Sequence, residues 1–219
     1  WAFIPARSGS KSIKNKNIIK LNGIHLIGYS INFSKKIKKV SKTIFSSDSK
    51  KYLKIAKKYG CSDLILRKKS LSKDHTSDIE VFLDFVKKLI SQKKILPKYF
   101  LHLRPTTPIR SLKIVNKAIN LFLKNKNKYS ALRSVTKMSN PSYKTMKIVN
   151  KKLCSIFGND FNMDKLNKPK QHYPSTYVPN GEIDIVKTEN ILKKIMHGNK
   201  VMALITDGFN SDIDDINDF

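Results

Sequence analysis

Short apolar, β-rich runs alternate along this chain with stretches whose apolar positions recur at helical spacing. Residues 2–5, 43–46, 99–103, 129–135 and 201–206 read as strands, whereas 26–37, 50–59 and 112–123 read as amphipathic helices. Strand, helix, strand in that order predicts βαβ units, and therefore an α/β fold built on a mainly parallel, Rossmann-like sheet flanked by helices. Val81, Phe82, Phe85 and Leu89 also fall at core spacing. Residues 138–178 break the pattern, with few helix signals, several Pro and Asn, and alternation over 143–149. This stretch predicts a small hairpin-bearing appendage. With 219 residues, 40% of them hydrophobic, the chain suits one domain spanning 1–219 that includes the appendage.

No run approaches the roughly 20 apolar residues of a membrane-spanning helix, and the chain opens on a strand-like run instead of a signal peptide. The expectation is a cytoplasmic protein with no membrane partner. Cys61 and Cys154 form no CxxC pair, so both are expected to be buried thiols without a disulfide or zinc role.

A formal charge of +28 would ordinarily raise nucleic-acid binding. Two features argue against it. All but five of the 44 basic residues are Lys, spread along the whole chain, and the aromatics sit at core spacing instead of interleaving with a basic face. The arginines, at 7, 67, 104, 110 and 133, stand apart, because three lie in motifs suited to bidentate anion recognition. Five of the 16 carboxylates fall in the last 13 residues, a clustering that asks for a cation in so basic a chain.

The first strand runs into Arg7-Ser8-Gly9-Ser10-Lys11-Ser12-Ile13-Lys14-Asn15-Lys16-Asn17, a small-residue loop carrying cations. Open α/β sheets bind ligands beyond the carboxyl ends of their strands. Here small residues let backbone N–H groups approach phosphate oxygens, while Arg7, Lys11 and Lys16 add charge. Neither a Walker A loop nor a GxGxxG fingerprint is present. Near the end, Asp212 and Asp214 flank Ile213, so an extended segment points both carboxylates to one side, where they can hold Mg²⁺. The five histidines have no metal-site spacing, and only His102 and His172 sit where a functional role is worth weighing.

Ile4 to Asn17 resembles the opening signature of the acylneuraminate cytidylyltransferases, the CMP-sialic acid synthetase group. The resemblance continues through Ser46-Ser47-Asp48, Leu66-Arg67 with Asp74, Thr76 and Ser77, Leu103 to Arg110, a Pro179-Asn180-Gly181 turn, and Ser211 to Asp214. It implies transfer of CMP from CTP to the anomeric hydroxyl of an acidic nine-carbon sugar, with loss of pyrophosphate. By that resemblance Arg7, Ser10, Lys11, Lys16, Asn17, Arg67 and Asp74 bind the nucleotide. Arg7, Lys16 and Asp212 carry catalysis, and Asp212 and Asp214 hold Mg²⁺. Arg104, Thr106, Asn180 and Asp184 face the sugar. Lys168 to Tyr173 resembles the family's dimerisation segment, which makes Lys144, Lys170 and Gln171 candidates for the sugar carboxylate of a partner subunit. The appendage has more apolar surface than it can bury on itself, which also points to a homodimer.

The match departs from the family pattern at Arg104, Lys170, Val178 and Asp184, all at sugar-facing positions. Legionaminic, pseudaminic and N-acetylneuraminic acids stay open as substrates. A Kdo cytidylyltransferase or another sugar nucleotidyltransferase is the alternative enzyme, and a basic nucleic-acid-binding protein the alternative of another class.

Overall fold

A computed structural model describes residues 1–219 apart from 62, 158–161, 207–211, 214 and 219. In chain order the strands are β1 (Ala2–Pro5), β2 (Lys20–Leu21), β3 (Ile24–His25), β4 (Thr43–Ser47), β5 (Asp63–Leu66), β6 (Tyr99–His102), β7 (Ala131–Lys137), β8 (Met146–Val149), β9 (Lys152–Ser155), β10 (Tyr177–Lys187) and β11 (Val201–Ile205). The helices are α1 (Leu26–Lys35), α2 (Lys50–Lys58), α3 (Asp78–Ser91), α4 (Leu112–Lys124), α5 (Met163–Leu166) and α6 (Thr188–Leu192).

Seven strands form one sheet in the order β11-β7-β10-β6-β1-β4-β5. β10 alone runs antiparallel to its neighbours, so the mainly parallel sheet expected from the alternation is borne out. The chain winds outward from β1 to β4 and β5, then returns to β6 on the other side of β1. That reversal opens a crevice at the carboxyl ends of β1 and β6.

Helices cover both faces. Ile27 and Ile31 of α1, Tyr52 and Ala56 of α2, and Val115, Ala118 and Phe122 of α4 share one buried cluster. On the other face Val81, Phe82, Phe85, Val86 and Leu89 of α3 pack with Phe3, Phe100 and Ile191. Phe82 lies 4.4 Å from the Phe3 ring, and edge-on to Phe100 and His102 at 5.4 and 5.2 Å. Such ring pairs add about 0.5–1.5 kcal/mol each beyond burial, and they seat the start of α3 beside the crevice. Helix starts follow local chemistry: the side chains of Ser49 and Ser111 accept from the N–H groups of Tyr52 and Ile114, and Glu80 reaches back to the Ser77 N–H at 2.7 Å.

The appendage contains the expected hairpin, β8 paired with β9. Its two turn residues, Asn150 and Lys151, both have positive φ, at 49° and 63°, the twist a tight hairpin requires. Tyr143 stacks on Tyr173 at 6.0 Å and meets Phe157 at 5.7 Å, giving the appendage a small aromatic centre of its own.

Two expectations need correction. Pro179-Asn180-Gly181 is no turn between elements. It is an irregularity inside β10, where the register with β7 shifts between Pro179 and Asp184 and Gly181 takes φ 70°. Cys61 is buried as expected, but Cys154, on the two-stranded hairpin β8–β9 apart from the main sheet, is partly exposed.

Candidate active site

Adjacent parallel strands end in residues that converge on one cleft. Arg7 follows β1, Arg67 follows β5 and Arg104 follows β6, and all three line it, while Asp48, after β4, holds the loop that follows β1. The cleft has a volume of about 460 Å³. Every nucleotide-binding residue expected from the sequence lines it: Arg7, Ser10, Lys11, Lys16, Asn17, Arg67 and Asp74. Arg104 and Thr106, expected to face the sugar, lie on its wall as well.

The loop after β1 is held by three sets of contacts. Asp48 accepts from the Ser8 backbone N–H at 2.8 Å and from its hydroxyl at 2.6 Å. Burial pushes the Asp48 carboxyl up, but these hydrogen bonds from Ser8, with a contribution from Arg67, more than offset it, and the net shift is downward. Asn17 Nδ2 donates to the Arg7 carbonyl at 2.9 Å. At the mouth, Arg7 Nη1 and Lys11 Nζ each reach a different oxygen of Asp74 at 2.6 Å, tying the loop to the segment after β5. Lys16 is buried at the loop's far end. Arg67 is buried too, its Nε donating to the Ser72 hydroxyl at 2.8 Å; burial lowers its pKa, against an opposing pull from Asp48 and Asp78.

The acidic segment docks beside this loop. Ile213 is buried with Ile13 and Leu26, and its N–H donates to the Thr106 carbonyl at 2.7 Å. That anchor sets Asp212 next to Thr107, whose hydroxyl donates to Asp212 Oδ1 at 3.4 Å. Gly181 closes the same corner, because a Cβ there would sit 2.6 Å from Thr107 Oγ1 and 3.7 Å from Asp212 Oδ2. Asp214 lies outside the described residues. A hard carboxylate beside an anion-binding loop suits Mg²⁺, which takes one or two protein carboxylates and completes its shell with phosphate oxygens and water. Among the described residues no group of three or more His, Cys, Asp or Glu could hold a metal ion. Asp215 and Asp218 are exposed.

The remaining expected sugar residues divide. Asp184 is 1% exposed and sits in the sheet opposite His102 of β6 and Arg133 of β7. Its Oδ2 accepts from Arg104 Nη1 at 2.8 Å, and Arg133 Nε stands 3.4 Å from Oδ1. His197 Nε2, at 3.7 Å, is within ion-pair reach but beyond a hydrogen bond. Asn180 is also internal. Its Oδ1 accepts from the Ser134 hydroxyl and the Glu182 N–H, and its Nδ2 donates to Thr136 and Thr206, so the side chain ties the β10 irregularity to β7 and to the residue that follows β11. Lys144, Lys170 and Gln171 do not line the cleft. Lys144 Nζ donates to the Lys168 carbonyl at 3.0 Å, while Lys170 and Gln171 line a separate hollow of about 580 Å³ with Tyr173 and Thr176.

Sequence reasoning missed Asp78 and left the roles of His102 and Arg110 open. Asp78 lines the cleft, and its Oδ2 accepts from Arg104 Nη2 at 3.1 Å. His102 is fully buried without a hydrogen bond among the described residues, its Nδ1 being 3.9 Å from both Asp78 and Asp184; burial lowers its pKa to about 4, so the ring is neutral at neutral pH. Arg110 braces the turn after β6, donating to the carbonyls of Glu182 and Arg104. The signal for Asp78 and Glu182 was present as carboxylates flanking recognised motifs, but only the strand register shows which cations they meet.

A crevice at the carboxyl edge of an open, mainly parallel sheet, with small-residue loops and buried cations, places this chain among the α/β folds in which the switch point is where ligands bind. The chain belongs to the cytidylyltransferase family, whose model matches residues 1–169. It is 33% identical over 222 residues to an N-acylneuraminate cytidylyltransferase of Escherichia coli, covering 100% of this chain and 50% of that protein. It is 35% identical over 127 residues to a pseudaminic acid cytidylyltransferase of Campylobacter jejuni, covering 58% of this chain and 54% of that one. The chain thus spans about half the length of these two curated relatives. Among solved structures, a CMP:2-keto-3-deoxy-manno-octonic acid synthetase complexed with CTP superposes with a TM-score of 0.64 at 13% identity, covering 97% of this chain and 92% of that one, a likeness of fold.

Proposed function

We propose that this chain transfers CMP from CTP to the anomeric hydroxyl of a sialic acid-like nonulosonic acid and releases pyrophosphate. The observation that carries the reading is the convergence of Arg7, Ser10, Lys11, Lys16, Asn17, Arg67 and Asp74 on one cleft in a member of the cytidylyltransferase family. The names of the related proteins supply the substrate class.

Arg7, Lys11 and Lys16 bind the triphosphate, and Asp48 and Asn17 hold the loop so that these cations need little reorganisation when it arrives. Arg67 orients the base or ribose. With the α-phosphorus fixed, the sugar hydroxyl attacks in line with departing pyrophosphate, a transfer in which positioning and charge stabilisation supply most of the rate. Asp212, with Asp214, would hold Mg²⁺, which neutralises the triphosphate and helps pyrophosphate leave. We read the enzyme as cytoplasmic and homodimeric. Ile148, Leu153 and Phe157 of the appendage are 74%, 47% and 54% exposed, apolar surface that a second copy would cover.

The test is pyrophosphate release from each of the four nucleoside triphosphates across a panel of nonulosonic acids. Release is expected only with CTP and one class of acid. Equal turnover of all four triphosphates, or no release with any acid, would overturn the reading. Sedimentation at micromolar concentration checks the dimer, which a fully active monomer would exclude.

A further inference from the structure

Arg104 would be the natural receptor for a sugar carboxylate, but its guanidinium is already engaged on both terminal nitrogens. Nη1 donates to the buried Asp184 and Nη2 to Asp78, at 2.8 and 3.1 Å. Asp184 is not free to let go. It is 1% exposed, and removing a partner from a buried ion pair leaves an uncompensated charge in a poor solvent. Arg133 supports Asp184 from the other side, and the neutral His102 ring packs edge-on to Phe82 with its Nδ1 equidistant from the two carboxylates.

Asp78 differs from Asp184 in one respect that matters. Its side chain is 44% exposed and lines the cleft at the first turn of α3. Only Oδ2 is used by Arg104, and Oδ1 makes no hydrogen bond or ion pair among the described residues. The buried end of the network is rigid and the open end offers one lone oxygen to the ligand space.

We propose that Asp78 is a specificity-determining residue of this cleft. Arg104, anchored on Asp184, fixes the Asp78 carboxylate on the cleft wall, where its Oδ1 accepts a hydrogen bond from an N–H or O–H of a bound substrate. Arg104 and Asp184 are positioning residues in this arrangement and do not touch the substrate. The inference rests on the cleft being the CTP and sugar site. Both substrates carry suitable donors, the cytosine amine and ribose hydroxyls on one side and the sugar hydroxyls and amides on the other.

The experiment measures KM for CTP and for the accepted sugar acid separately, in the wild type, in Asp78→Asn, in Arg104→Lys and in the double variant. An inactive wild type would sink the proposed function itself and is thereby distinguished from failure of this inference. With an active wild type, Asp78→Asn is expected to raise KM about tenfold or more for the one substrate that donates to it, the scale of a hydrogen bond to a charged group. A rise confined to CTP places the donor on the nucleotide, and a rise confined to the sugar acid places it there. Arg104→Lys keeps the charge but loses the fork, so it should shift the same KM in the same direction. The double variant should fall short of the product of the two effects, because both changes break one device. Thermal melting of each variant separates unfolding from lost recognition. KM values within twofold of wild type for both substrates in a folded Asp78→Asn protein would overturn the proposal, as would Arg104→Lys acting independently of Asp78.

Discussion

Replacing Asp184 by Asn keeps the side-chain volume and removes the charge, so the outcome separates a structural carboxylate from a ligand-binding one. Asp184 lies 2.8 Å from Arg104 and 3.4 Å from Arg133 at 1% exposure. The carboxylate is out of water, although the Arg104 and Arg133 side chains are 22% and 34% exposed. Breaking one side of a buried ion pair costs about 3–5 kcal/mol, which for a domain of this size corresponds to a melting temperature lower by roughly 6–20 °C. Burial alone would raise the Asp184 pKa, but His197, Arg104, His102 and Arg133 more than offset it and hold the carboxyl well below the usual carboxylate range. A depressed pKa contributes stability that is present above the unfolded-state value and lost as pH falls through the folded-state value. The gap between wild type and Asp184→Asn should therefore stay constant near neutral pH and narrow only below about pH 4. Calorimetric melts from pH 3 to 8 measure both quantities. A melting temperature within about 2 °C of wild type, far short of the roughly 2–4 °C per kcal/mol expected of a broken buried pair, together with a raised KM for the sugar acid, would refute the reasoning and return Asp184 to the sugar site.

Asp212→Asn should reduce CMP-sugar formation by about a hundredfold or more, the scale of lost metal charge stabilisation, with little change in melting temperature because Ile213 and its bond to Thr106 remain; wild-type rates across a Mg²⁺ titration would reject it. Asp48→Asn places an amide N–H₂ against Ser8 and should raise KM for CTP about fivefold or more, from roughly 1 kcal/mol of lost hydrogen bonding, while an unchanged KM would show that the loop does not depend on this latch. Gly181→Ala meets positive φ and the Thr107 hydroxyl at once, so a protein less stable by at least about 1–2 kcal/mol in a denaturant titration is expected, and full stability would mean that this corner is looser than its contacts imply.

The alternation of apolar runs revealed β1, β4 and β6, each a buried run followed by a helix-period segment, and β7 and β11 as further apolar runs, but not β5, an edge strand that is only partly buried. β10 escaped because Pro179, Asn180 and Gly181 read as turn chemistry, and only the buried partners of Asn180 reveal that they form an irregularity within a strand. The phosphate loop was legible for a related reason: its chemistry is local, with small residues and cations contiguous in sequence. Asp184 and Arg104 were legible as departures from the family pattern, but their pairing was not. It arises from strand register, which aligns Asp184 with His102 and Arg133 across separations that no local signal spans.

The excess of positive charge takes a different meaning once the cations are sorted by type. Each of the five arginines is bonded within or beside the cleft: Arg7 to Asp74, Arg67 to Ser72, Arg104 to Asp78 and Asp184, Arg133 to Asp184, and Arg110 to the carbonyls of Glu182 and Arg104. A planar fork can meet two acceptors at a fixed angle, as Arg104 does with Asp78 and Asp184 and Arg110 with two carbonyls, so these two positions are not exchangeable with lysine. The lysines on α2, by contrast, point mostly to solvent, where an isolated charge contributes little to stability and tolerates replacement. Net charge is therefore a poor guide to what this surface binds. The informative quantity is local: cations of the cleft wall are already held by protein groups, Arg7 and Lys11 by Asp74, Arg67 by Ser72 and Arg104 by Asp78 and Asp184, so a ligand anion is met by backbone N–H groups and by whichever cation exchanges its partner on binding. Arg7 is the one best placed to do so, since Asp74 is exposed and its ion pair is weakly held against water, whereas Arg104 is fastened to a carboxylate that water does not reach.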